Sequence, residues 1–111
     1  MVLTGRALPH PAVDELLLGE VLFALSDPAR LAIVRQLAEG PLDDVSCQTV
    51  GGDIPKSTRS HQLKTLREAG IIRNLPHGRQ RLLSLRRDEL EARFPGLLTA
   101  VLAATGAPAD A

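Results

Sequence analysis

One junction constrains this chain more than any other feature. The segment KSTRSHQLKTLREAG, residues 56–70, runs straight into IIRNLPHGRQRLLSL, residues 71–85. The first has helical spacing, with Leu63, Leu66 and Gly70 on one face and Gly70 where a helix C-terminus wants it. The second holds two apolar-rich runs around Pro76-His77-Gly78, which predicts a β-hairpin whose turn carries the glycine.

Helical patterns flank this pair. Residues 1–11, with Gly5, Pro9 and Pro11, read as a flexible N-terminal arm. Pro11 suits the first turn of a helix running to about Ser26, in which Leu17, Val21 and Leu25 recur every four residues beside Leu18 and Leu22. Asp27 is a good N-cap and Pro28 a good first residue for a second helix, which continues through LAIVRQLAE to Gly40-Pro41. Residues 42–53 are ambiguous: Asp43 and Asp44 suit the cap of a short helix, whereas VSCQTV alternates weakly as a strand does. After the hairpin come a short turn, DELEARF, and a last helix from Pro95 with Leu97, Leu98, Val101 and Leu102 on its apolar face. A frayed tail, 105–111, leaves 12–104 as one domain. The expected fold is mainly α with a small β-hairpin. A helix bearing hydroxyl and basic side chains, followed at once by a basic hairpin, has the order of a winged helix-turn-helix, whose helix enters the DNA major groove.

The charge pattern points the same way. The net charge is zero, yet nine Lys and Arg stand against Glu68 alone between Lys56 and Arg87, a surplus of eight there that the rest of the chain cancels. Segregated charge makes a local field that attracts polyanions even on a neutral molecule, whereas a merely solvated surface intermixes the signs. With no Trp or Tyr and only two Phe, a base-stacking platform for single strands is not expected. The single Cys47 forbids an intramolecular disulfide and suits a reducing compartment. Asp14, Glu15 and Glu20 interrupt the apolar stretch Val13–Leu25, so it is no membrane span, and a cytoplasmic protein is expected.

On these residues the chain resembles a known family. LFALSDPARLAIVRQLAEG and KSTRSHQLKTLREAGII are similar to two motifs of the ArsR-type bacterial winged-helix repressors, a likeness covering roughly residues 20–87, and LRRDELEARFPGLLTAVL looks like a subgroup of them. The resemblance implies a homodimer built on the first and last helices, one recognition helix per subunit in the major groove, and release of DNA upon an inducing signal. Leu17, Leu18, Val21, Leu97, Leu98 and Val101 are the expected dimer surface, because those stripes are wider than a small monomer covers. Two-fold symmetry then asks for double-stranded DNA with a pseudo-palindromic operator.

On a 100° wheel Ser57, Ser60, His61 and Lys64 cluster opposite Leu63, Leu66 and Gly70. Such groups can donate to phosphates and base edges, although a plain solvated helix face would look alike. Lys56 and Ser57 are expected to meet phosphate near the helix start, and Lys64 and Arg67 to contact the backbone. Arg59 departs from the family pattern, which places Val, Ile or Leu there; its stem can cover the core edge while its guanidinium reaches a phosphate. Arg73, Arg79 and Arg81 form the expected contact surface of the wing. No cofactor or metal is expected: metal-sensing members carry a Cys-x-Cys pair or paired His and carboxylates on the last helix, and this chain has only Cys47 and no His after His77. Cys47 reads as a small buried hydrophobe, with a single-thiol redox sensor as the alternative. A Cys47–His61 pair lacks an orienting third group, so no enzyme is expected. A winged helix that docks acidic proteins is the rival class.

Overall fold

The computed structural model describes residues 7–43 and 55–106; Cys47 and the ambiguous stretch after Asp43 lie outside them. A 3₁₀ turn, Val13–Glu15, precedes α1 (Leu18–Leu25) and α2 (Pro28–Leu37). Then come β1 (Leu42–Asp43), α3 (Lys56–Glu68), β2 (Ile72–His77), β3 (Gln80–Leu85), α4 (Arg87–Arg93) and α5 (Leu97–Gly106). Helix α2 is the centre of the packing, touching α1, α3, α5 and β3.

That central helix forms where its caps dictate. The Asp27 carboxylate accepts the Ala29 and Arg30 amides at 2.9 and 3.1 Å, with Pro28 in the first turn where its missing N–H costs nothing. Ile33, Val34 and Leu37 then fall on the buried side. Fully burying such side chains is worth about 1.5–3 kcal/mol each.

The first helix is shorter than its stripe suggests. Leu16 and Leu17 have extended backbone (ψ 130° and 129°), which splits the segment into the 3₁₀ turn and α1. Leu16 turns inward to be buried against Gly70, a contact between distant parts of the chain that outweighs local periodicity. The break is satisfied on both sides: Ala12 N–H donates to the Glu15 carboxylate at 2.7 Å, and Arg93 Nε donates to the Leu16 carbonyl at 3.1 Å. Val21 and Leu98, expected at a dimer surface, are 1% and 2% exposed and belong to this subunit's own core. Leu97 and Val101 are half-buried against it.

Helix α3 ends in a Schellman motif. Gly70, at φ +88°, donates to the Arg67 carbonyl and Ile71 to that of Leu66, both at 3.0 Å. The chain enters β2 directly. The hairpin register pairs His77 with Gln80, so the turn is Gly78-Arg79 and Pro76 and His77 lie in the strand. Gly78 has φ +62° and Arg79 does not share a positive φ, the signs of a type II′ turn. Pro76 is tolerated because β2 is an edge strand in the sheet order β1-β3-β2. The third strand is new relative to the expected hairpin: Leu42 pairs with Leu83 and Asp43 with Leu82.

The end of the N-terminal arm is tied down. Arg67 Nη1 donates to the Pro9 carbonyl at 2.6 Å, and the Asn74 amide donates to His10 Nε2 at 3.0 Å. Among the described residues no helix is long and apolar enough to cross a membrane.

Candidate nucleic-acid interface

Helix α3 separates its residues as the wheel requires. Lys56, Ser57, Ser60, His61 and Lys64 are exposed, Leu63 is half-buried and Leu66 is buried. Arg59 is half-buried on the body side, consistent with a stem laid along the core edge. The helix starts at Pro55, which makes no side-chain cap, so the first-turn amides of Lys56, Ser57 and Thr58 have no partner within the helix. Amides, dipole, hydroxyl and ammonium together favour an anion there.

The basic residues divide more sharply than their spacing indicates. Lys64 and Arg79 are exposed, the latter at the tip of the hairpin. Arg67 is not on this surface. It is 7% exposed, its guanidinium serving the Pro9 carbonyl and lying 4.0 Å from Glu68. Arg73 sits at the base of the wing, near the start of β2 and far from the tip residue His77, and pairs with Glu89 at 2.7 Å. The same Glu89 oxygen accepts Arg86 Nε at 2.7 Å. The Arg86 hydrogen bond and the positive charges of Arg86 and Arg73 hold the Glu89 carboxyl below the usual range, against a smaller opposing effect of burial. Arg81 is half-buried and braces the wing, donating to Asn74 Oδ1 at 2.7 Å and to the Asn74 carbonyl at 2.8 Å. The exposed surface therefore comprises one face of α3 and the wing tip, with Arg81 behind it.

A hydrogen-bonded cluster behind α3 was not read from the sequence. Arg30 is buried and donates Nε to the Ala24 carbonyl (2.6 Å), Nη2 to the Phe23 carbonyl (3.2 Å) and Nη1 to Gln62 Oε1 (2.7 Å). Gln62 Nε2 lies 3.4 Å from Asp27 Oδ2. The Phe23 ring, 65% exposed, sits 5.3 Å from the Arg30 guanidinium carbon. A signal for Arg30 existed: it falls three, four and seven residues before Ile33, Val34 and Leu37, on the apolar face, where a charge needs internal partners. Among the described residues no three His, Cys, Asp or Glu side chains come together in a metal-holding group.

Known proteins resemble this chain in sequence and in fold. The model of the family described as bacterial regulatory protein, arsR family, matches residues 27–74. The chain is 39% identical over 87 residues to the uncharacterized HTH-type transcriptional regulator YceK of Bacillus subtilis (strain 168), covering 77% of this chain and 86% of that protein. It is 36% identical over 84 residues to the HTH-type transcriptional regulator NmtR of Mycobacterium tuberculosis (strain ATCC 25618 / H37Rv), covering 73% and 69%. Among solved structures, the transcriptional repressor BigR from Xylella fastidiosa superposes with a TM-score of 0.63 at 31% identity over 80% of this chain and 86% of that one. An ArsR family transcriptional regulator superposes with a TM-score of 0.62 at 25% identity, covering 78% and 89%.

Proposed function

The chain belongs to the arsR family of bacterial regulatory proteins and is a DNA-binding transcriptional regulator; from that premise we propose that it acts in the cytoplasm as a homodimeric repressor. Each subunit lays α3 in the major groove and the Gly78-Arg79 tip against the backbone, on a pseudo-palindromic operator whose half-sites lie about one DNA turn apart. Ser60 and His61 read base edges, while Lys56, Ser57, Lys64 and Arg79 meet phosphates, with Arg59 at the margin. Arg67, Arg73 and Arg81 act behind this surface. The observation that carries the reading is the division of α3: an exposed hydroxyl, imidazole and ammonium face, backed by a face buried in the core. Repression ends on an inducing signal, and the similarity to BigR, a transcriptional repressor, supports that direction.

The test is fluorescence anisotropy with operator and scrambled duplexes across a salt series. Lys64→Ala and Arg79→Ala weaken binding to both duplexes, and each flattens the salt slope by about one for every phosphate no longer neutralised. Ser60→Ala and His61→Ala erode the preference for operator by about 1–3 kcal/mol per base contact. Equal shifts of both duplexes in all four variants would contradict the base-reading face. No binding of random duplex at micromolar protein and low salt would favour an acidic-protein partner instead.

A further inference from the structure

The two halves of α3 are held differently. Its C-terminal half is packed: Leu66 is buried, Arg67 donates to Pro9, and the following Gly70 is seated on Leu16. The proposed reading groups, Ser60 and His61, lie further forward and are exposed. Their aim depends on how the helix is rotated about its own axis. At 100° per residue Gln62 falls nearly opposite the centre of that face. It is held at both ends of its amide by the first turn of α2, the oxygen by Arg30 Nη1 at 2.7 Å and the nitrogen toward Asp27 Oδ2 at 3.4 Å. Both holders are themselves fixed: Arg30 by the Ala24 and Phe23 carbonyls, Asp27 by the two amides it caps. An amide held this way is a stop against rotation.

We infer that Gln62 is a positioning residue for base reading: braced by Arg30 and Asp27, it sets the rotation of α3 and so the aim of Ser60 and His61. The inference rests on the DNA reading proposed above. A helix with its side chains is about 10–12 Å across, so a rotation of roughly 10° moves a side-chain tip by about 1 Å. That displacement takes a hydrogen bond from good geometry to none. Lys and Arg contacts to phosphate tolerate it, because long flexible stems follow the phosphate. Removing the brace therefore lowers selectivity and spares general affinity.

The experiment uses the full chain and the tightest duplex it selects from a randomised pool, with a scrambled duplex of equal length. The ratio of the two Kd values is compared among wild type, Gln62→Met and Gln62→Glu. Met keeps length and shape without the hydrogen bonds; Glu keeps an acceptor for Arg30, and its added charge cancels in the ratio. The expected ratio falls about tenfold in Gln62→Met, the worth of one good base contact, and mostly recovers in Gln62→Glu. Scrambled-duplex affinity stays close to wild type in Gln62→Met, whose melting temperature falls only as far as the lost hydrogen bond to Arg30 requires, while the added charge of Gln62→Glu weakens both duplexes alike. An unchanged ratio in Gln62→Met, or a parallel loss of melting temperature and scrambled-duplex affinity, overturns the inference and leaves the DNA reading standing. If the wild type enriches no sequence, the base reading beneath it fails instead.

Discussion

Gly70 and Gly78 both hold a positive φ, but their surroundings set them apart. At Gly70 an added Cβ would collide with Leu16 Cδ2, a side chain buried in the core, in a backbone held at φ +88°. At Gly78, φ +62°, the same Cβ meets nothing. Gly70→Ala thus incurs both left-handed strain and overpacking, about 2–5 kcal/mol together, whereas Gly78→Ala incurs only the strain, roughly 1–2 kcal/mol. Urea unfolding of the two variants measures the difference, and equal losses would mean that Leu16 moves aside at no cost. Gly70 was legible as a helix stop from its place after LREA; its role as the seat of Leu16 was not, because 54 positions separate the two residues.

At the scale of elements, the docked end of the arm makes stability depend on pH. His10 Nε2 accepts the Asn74 amide, so it must be unprotonated there. Burial, chiefly, and the positive charges of Arg67, Arg86 and Arg73 lower its pKa from 6.5, against a backbone hydrogen bond with Leu8 that raises it. The unfolded chain therefore takes up this proton first, and the arm's contribution, complete above about pH 6.5, is lost as pH falls through the lower folded value. Glu89 follows the same sign in a separate window, since its folded pKa lies below 4.5 and its contribution fades only under that pH. His10→Gln keeps an acceptor without a titrating ring. Its urea midpoint should vary less between pH 7 and 5.5 than that of wild type, and identical curves would remove His10 from the account. The arm shows where local pattern stops informing. Elements with their own caps, such as α2 behind Asp27-Pro28 and α3 before Gly70, were readable. The split of the first helix and the docking of residues 9–11 arise from contacts with α3, α4 and β2 that no local spacing encodes. The hairpin was readable as an element but its turn was not, because Pro76 looks like a turn residue until β2 is known to be an edge.

For the whole molecule, the division of α1 decides what a partner subunit can cover. Val21, Ala24 and Leu25 are spent on this subunit's core, while Leu18, Leu22 and Phe23 remain 48%, 46% and 65% exposed. An apolar group of this kind on a chain of 111 residues is what a second copy would bury in the proposed repressor dimer. Leu18→Glu and Leu22→Glu place charge on that surface and leave the core intact. Each should give a folded monomer by light scattering, with a melting temperature within a few degrees of wild type as expected for exposed positions. Leu98→Ala, by contrast, should cost about 2–5 kcal/mol of stability, being a core deletion. DNA binding then reports the dimer independently. Among the described residues Lys56, Lys64 and Arg79 are exposed cations of the proposed surface, whereas Arg67 and Arg86 are buried and cannot displace counterions. About three phosphates neutralised per subunit make roughly six in a dimer, a slope of log K against log salt near −5. A monomeric variant that still folds should lose roughly half of that slope together with its operator preference, because a single α3 reaches one half-site. A monomer that kept the full slope would mean that the charges, and not the symmetry, determine how this protein holds DNA.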